Sequence, residues 1–189
     1  MAIALPQSWT SRNRPAPQPG PLAEWLDRIA IHEAGHAVAG LAMGYRAVWL
    51  QREPTGGRCW QEQKSQTPWH ALVISLAGEA AELMYFPELT PREVATTRAE
   101  MLGACFEFKS DAEQVSDALE RLKIERGDNV DTLRHAGERA AAAILRKHSF
   151  IHKCLWLKLA RLEDLKGPEL HSVVSKWDFR NGRFWEEEK

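Results

Sequence analysis

A mainly α fold with one small β-hairpin, an α+β chain, is what this sequence predicts, and three observations carry it. Proline-headed helix starts recur at Pro21 and at Thr67-Pro68, where the missing N–H costs a helix nothing. Capping-box patterns recur at Thr90-Pro91-Arg92-Glu93 and Ser110-Asp111-Ala112-Glu113. One stretch, residues 46–63, alternates about a glycine pair as two short strands do.

In order along the chain, residues 1–20 carry Pro6, Pro15, Pro17 and Pro19 and read as a flexible or extended arm. Pro21 then opens a helix to about Gly44, with Leu22, Trp25, Leu26, Ile29, Glu33 and His36 sharing a broad face. Arg46–Glu53 and Arg58–Gln63 flank Pro54-Thr55-Gly56-Gly57 as a hairpin. Thr67 caps a second helix over 68–86. Thr90 opens a third, and Ser110 opens one that reaches about Lys123. Gly127-Asp128 breaks the chain before a helix over 130–148, and Ser149 caps another over 150–166 that Gly167-Pro168 ends. A short helix over 168–176 precedes a polar tail, 178–189, with Glu186-Glu187-Glu188.

Of the 189 residues, 44% are apolar and 27% charged, with a formal net charge of -1. That balance suits a soluble domain and offers no basic field for nucleic acid. The basic residues of the later helices (Arg134, Arg139, Arg146, Lys153) are interspersed with acids, as on a solvated face. Cys59, Cys105 and Cys154 are an odd number without close spacing, so reduced thiols in a cytoplasmic protein are expected. No signal pattern opens the chain, and Trp69–Phe86 contains Glu79 and Glu82, so it reads as a buried helix and no membrane partner is expected.

The chemistry concentrates in His32-Glu33-Ala34-Gly35-His36. Positions i and i+4 share one helical face, so both imidazoles can reach one cation, and Glu33 stands where a carboxylate can take a proton from water. Ala34, Gly35, Ala37, Ala39 and Gly40 are small enough to let a neighbour approach closely. A catalytic zinc site needs a third protein ligand. A histidine six residues after His36 would supply it, but position 42 is alanine. The remaining candidates are Asp111, Glu82, Glu79 and His70. Glu79 and Glu82 lie in an otherwise apolar helix, where a carboxylate needs a partner. Glu82 is also placed to hold an imidazole N–H.

The stretch His32-Glu33-Ala34-Gly35-His36-Ala37-Val38 resembles the peptidase domain of FtsH-type ATP-dependent zinc metalloproteases. So do Leu76-Ala77-Gly78-Glu79-Ala80-Ala81-Glu82-Leu83 and Ser110-Asp111-Ala112-Glu113-Gln114, and the similarity spans roughly residues 22–175. The resemblance implies a zincin-like metal helix followed by a C-terminal helical bundle. It implies one Zn2+ per chain held by His32, His36 and Asp111, with Glu33 as general base. The family's Thr-Thr-Gly-Ala run before the ligand aspartate is replaced by Cys105-Phe106-Glu107-Phe108-Lys109. Within a zinc-peptidase domain over 21–177, the metal helix and hairpin would fill 21–66, the second helix 67–88, and the third-ligand region with the bundle 89–177.

No Gly-x-x-x-x-Gly-Lys-Ser/Thr run occurs, so the expected activity is ATP-independent cleavage of flexible or unfolded polypeptides. The expected partner is a protein or peptide substrate, and a homo-oligomer is compatible with the family. The rival reading is a non-catalytic, zinc-stabilised helical module that binds a protein partner; an acid between the histidines has no place in such a site. No second donor to a developing oxyanion can be singled out among Tyr45, His70 and Arg98.

Overall fold

The computed structural model describes residues 21–53, 56–62, 66–90 and 110–184. Six helices and a three-stranded antiparallel sheet are found among them. The helices are α1 (Pro21–Ala42), α2 (Pro68–Tyr85), α3 (Asp111–Arg126), α4 (Val130–Lys147), α5 (Ser149–Leu162) and α6 (Gly167–Val174). The strands β1 (Ala47–Glu53), β2 (Gly56–Gln61) and β3 (Asp164–Lys166) form a sheet in the order β2-β1-β3. The expected arm over 1–20 and the helix opened by Thr90-Pro91 fall outside the described residues.

Local chemistry sets the helix starts. Thr67 accepts from His70 N at 3.2 Å, with Pro68 in the first turn of α2. Ser110 and Glu113 exchange backbone and side-chain bonds in a complete capping box, which fixes Asp111 as the first residue of α3. Asn129 caps α4 through Asp131 N and Thr132 N.

α1 is the hub, packing on α2, α5 and the hairpin, while α2 packs on α3 and α4. Its small residues permit this: Ala30, Ala34 and Ala37 are fully buried, facing Ala81, Leu155 and Leu159 in one apolar cluster that also takes Leu50, Leu145 and Leu165. A second cluster joins Leu72, Val73, Leu76 and Ala77 of α2 to Val115, Leu119 and Leu122 of α3 and to Leu133 and Ala141 of α4. Each fully buried leucine contributes about 1.5–3 kcal/mol by area. His152 of α5 binds the backbone of the metal-motif helix directly, through Nε2 to Ile31 O at 3.0 Å.

Two expectations need correction. The helix expected over 150–166 stops at Leu162. Glu163 turns into the left-handed region (φ 65°), and Asp164–Lys166 pair with β1. Burial decides it, because Leu165 lies opposite Leu50 with neither exposed to solvent. The chain after 177 is not a plain polar tail. β4 (Trp177–Asp178) and β5 (Arg183–Phe184) make a hairpin, anchored by buried Trp177, whose Nε1 donates to His148 Nδ1 at 3.1 Å. The Asn181-Gly182 turn pair was the available signal.

Candidate metal centre

α1 and α2 run antiparallel across the site, so contacts on α2 fall in number as those on α1 rise. Arg28 and His32 meet Glu82, and His36 meets Ile74. Asp111 enters from the start of α3, where the positive end of the helix dipole favours a carboxylate. His32, His36 and Asp111 each present a ligand atom, and these atoms lie within 4.8 Å of one another. His32 Nε2 is 2.8 Å from His36 Nε2 and 3.0 Å from Asp111 Oδ2, and His36 Nε2 is 3.4 Å from Asp111 Oδ1.

The outer partners fix which nitrogens are free. His32 Nδ1 donates to the Glu82 carboxylate at 2.8 Å, and His36 Nδ1 donates to Ile74 O at 2.7 Å. Each neutral ring then carries its lone pair on Nε2, so both lone pairs converge with the two Asp111 carboxylate oxygens. A cation, either a proton or a metal, satisfies such a group. Two imidazoles and a carboxylate suit zinc.

Without a metal, a proton serves. Burial opposes a charged His36 ring. The Asp111 carboxylate, by charge and hydrogen bond, outweighs that with help from the Glu33 charge and the Ile74 carbonyl, and raises its pKa to about 9. Asp111 shows the converse: burial disfavours its charge, but His36 and His32 hold its pKa well below the usual carboxylate range. For the metal-free fold the sign follows directly. The stabilisation is complete below the ordinary histidine pKa of about 6.5 and is lost as pH rises through 9. Metal uptake must displace that proton. Titration calorimetry at pH 7 in buffers of different ionisation enthalpy should show release of at least about one proton per zinc, the one His36 holds in the metal-free protein. Absence of proton release at pH 7 would contradict this arrangement.

Glu82 does not join the ligand group. One of its oxygens receives His32, and the other receives Arg28 twice, at 3.1 and 2.8 Å. Arg28 is itself held 5.8 Å over Trp25 and 5.7 Å from Phe86, measured to the ring centroids. Sequence reasoning missed Arg28; its position one turn before His32, on the face that bears the ligands, was the signal. Glu79 turns toward α4 instead, lining a cavity of about 430 Å³ with Glu138 and Arg139, and burial raises its pKa. His70 bonds Tyr45, not the metal group. His148 and His152 are buried but are not part of the group.

Two glycines shape the pocket. A Cβ on Gly78 would lie 2.1 Å from His32 Nε2, so only glycine lets the imidazole come this close to α2. A Cβ on Gly57 would lie 2.5 Å from Glu33 Cγ, so β2 and the buried Glu33 carboxyl are in direct contact. Cys59 follows on the same strand. Burial first, then the Glu33 charge, pushes its thiol pKa up, which keeps it neutral beside the acids. Asp111 is the most exposed of the group, its side chain 30% accessible against 1% for His32 and 8% for His36, so the site opens at its edge.

No protein-family model matches the chain. Over 62 residues it is 36% identical to zinc metalloprotease sll0528, a provisionally named protein of Synechocystis sp.. The match covers 33% of this chain and 16% of that protein, so the chain accounts for under a fifth of its relative's length. A buried His-His-Asp group able to hold a metal thus accompanies a distant, partial likeness to a zinc metalloprotease. No helix among the described residues is long and apolar enough to cross a membrane.

Proposed function

We propose that this protein is a zinc metallopeptidase of the FtsH type that hydrolyses flexible or unfolded polypeptides without ATP. The observation that carries the reading is the convergence of both Nε2 lone pairs with the Asp111 carboxylate, while Glu33 stands beside them. His32, His36 and Asp111 would hold the ion, three protein ligands being the number that leaves a position open. Zinc, when bound, lowers the pKa of water toward ~7 and polarises a carbonyl.

The chain's own residues do the rest. Glu33 accepts the proton of the attacking water and returns it to the leaving amine. Glu82 keeps the His32 ring in one tautomer and one orientation, and the Ile74 carbonyl does the same for His36. β2 is an outer strand of the sheet, with a cavity of about 350 Å³ lined by Cys59, Trp60, Gln61 and Glu62 along it. A peptide adding to that strand would pass over Glu33, and only an extended, unfolded segment can pair in that way. The similarity to a zinc metalloprotease supports the same activity.

The test is cleavage of unfolded casein and of fluorogenic peptides by the zinc-loaded protein in ATP-free buffer. Cleavage should vanish with a zinc chelator and return on adding one equivalent of zinc. A zinc-loaded, folded protein that cleaves no peptide would leave the binding-module reading in its place.

A further inference from the structure

The stripe of α2 that faces α1 steps in fours through His70, Ile74, Gly78 and Glu82. Three of these serve the metal centre: Glu82 and Gly78 accommodate His32, and Ile74 receives His36. The fourth, His70, lies one turn further along, about 6 Å by helical rise. Its Nδ1 meets the Tyr45 hydroxyl at 2.8 Å, with the rings edge-on at 5.6 Å. Tyr45 reaches that place because the chain folds back where α1 ends, with Tyr45 N donating to Gly40 O at 2.9 Å, one turn beyond His36. The hairpin closes the same corner. Gln61 Nε2 donates to His36 O at 2.6 Å, and Glu62 N donates to Arg46 O at 2.9 Å. The hydroxyl–imidazole pair therefore sits at the end of β2, one turn along α1 and α2 from His36 and Ile74, and both residues are half-buried.

We propose that Tyr45 is a further catalytic residue whose hydroxyl donates a hydrogen bond to the oxyanion forming on the scissile carbonyl, with His70 as its positioning residue. The proposal rests on the peptidase reading above. As water adds, a C–O bond forms, the carbonyl π pair moves onto oxygen, and Glu33 takes the water proton. The Tyr45 O–H keeps its proton throughout, and its bond strengthens as charge grows on the oxygen. When His70 carries its proton on Nδ1, it donates to the Tyr45 oxygen and leaves the phenolic proton free for substrate. The bond from His70 N to Thr67 Oγ1 fixes that first helical turn.

Removing one such donor typically costs about 10²–10³ in kcat. In Tyr45→Phe, kcat on a fluorogenic casein peptide should fall ~100-fold with KM changed less than threefold, and zinc content and Tm should be kept. A phosphonamidate analogue of that peptide should bind Tyr45→Phe at least ~10-fold more weakly than wild type. The uncleaved peptide should bind Glu33→Gln and Glu33→Gln/Tyr45→Phe alike. His70→Ala should show the same pattern in smaller measure. The assignment is overturned if Tyr45→Phe keeps kcat and phosphonamidate affinity within threefold of wild type, or if only Tm falls. A wild-type protein that binds zinc yet cleaves nothing and does not prefer the phosphonamidate over the peptide refutes the peptidase reading itself, and the Tyr45 assignment with it.

Discussion

Glu33→Gln should abolish peptide cleavage while the protein still binds one zinc per chain. Glutamine has the same size and keeps contact with Gly57, where a closer-packed residue would not fit. It lies outside the group of ligand atoms, so removing its charge leaves His32, His36 and Asp111 to bind. What it loses is basicity: an amide cannot take the proton of the attacking water. General-base removal costs about 10²–10⁴-fold in rate. The Glu33 charge also helps to raise the pKa of His36, so the metal-free variant should hold the competing proton less tightly. The same charge attracts a dication more strongly than a proton, so zinc affinity at neutral pH should fall modestly, with one zinc still bound per chain. Turnover of a fluorogenic peptide, beside zinc content by atomic emission, checks both halves. Retained turnover would remove Glu33 from the mechanism.

Glu82→Ala should damage both the fold and the site, for separable reasons. Arg28 is 9% exposed, and in the variant its guanidinium would be buried without a counter-charge. Breaking a buried pair from one side costs about 3–5 kcal/mol. His32 Nδ1 would lose its acceptor at the same time, and losing such an outer partner typically weakens metal binding by about 10–100-fold. The double variant Arg28→Met/Glu82→Leu separates the two. Apolar side chains of similar volume should restore most of the stability. They cannot receive the His32 N–H, so zinc affinity should stay low. Urea denaturation and zinc competition with a chromophoric chelator read the two quantities. If the double variant recovers both, Glu82 serves packing alone and does not orient His32.

Much of this was legible in the sequence where a local rule acts. Thr67-Pro68 and the Ser110–Glu113 box are decided within four residues, and those helices begin where the caps place them. The spacing of His32 and His36 likewise reports one helical face. Asp111 was one of four candidates on residue chemistry, because its approach depends on how α3 packs against α2. Glu82 and Glu79 read alike in one apolar helix, yet they lie three residues apart and diverge, one toward His32 and the other toward α4. Arg28 and the Tyr45–His70 pair depend on the antiparallel alignment of α1 and α2, which no single-chain periodicity encodes. Three-residue β3 could not be told from the end of a helix, since Leu165 becomes a strand residue only when Leu50 is beside it.

In the proposed centre, two imidazoles and one carboxylate hold a zinc ion and leave one position to solvent. X-ray absorption at the zinc edge of the purified protein measures this directly. The proposed centre requires one zinc per chain, with two imidazole nitrogens, an oxygen from Asp111, one exchangeable light atom and no sulfur. Repeating the measurement on Asp111→Asn should show an altered oxygen shell with both imidazoles kept. A protein that takes up no divalent ion, or one whose zinc is enclosed by four side chains with Cys59 sulfur among them, would contradict it.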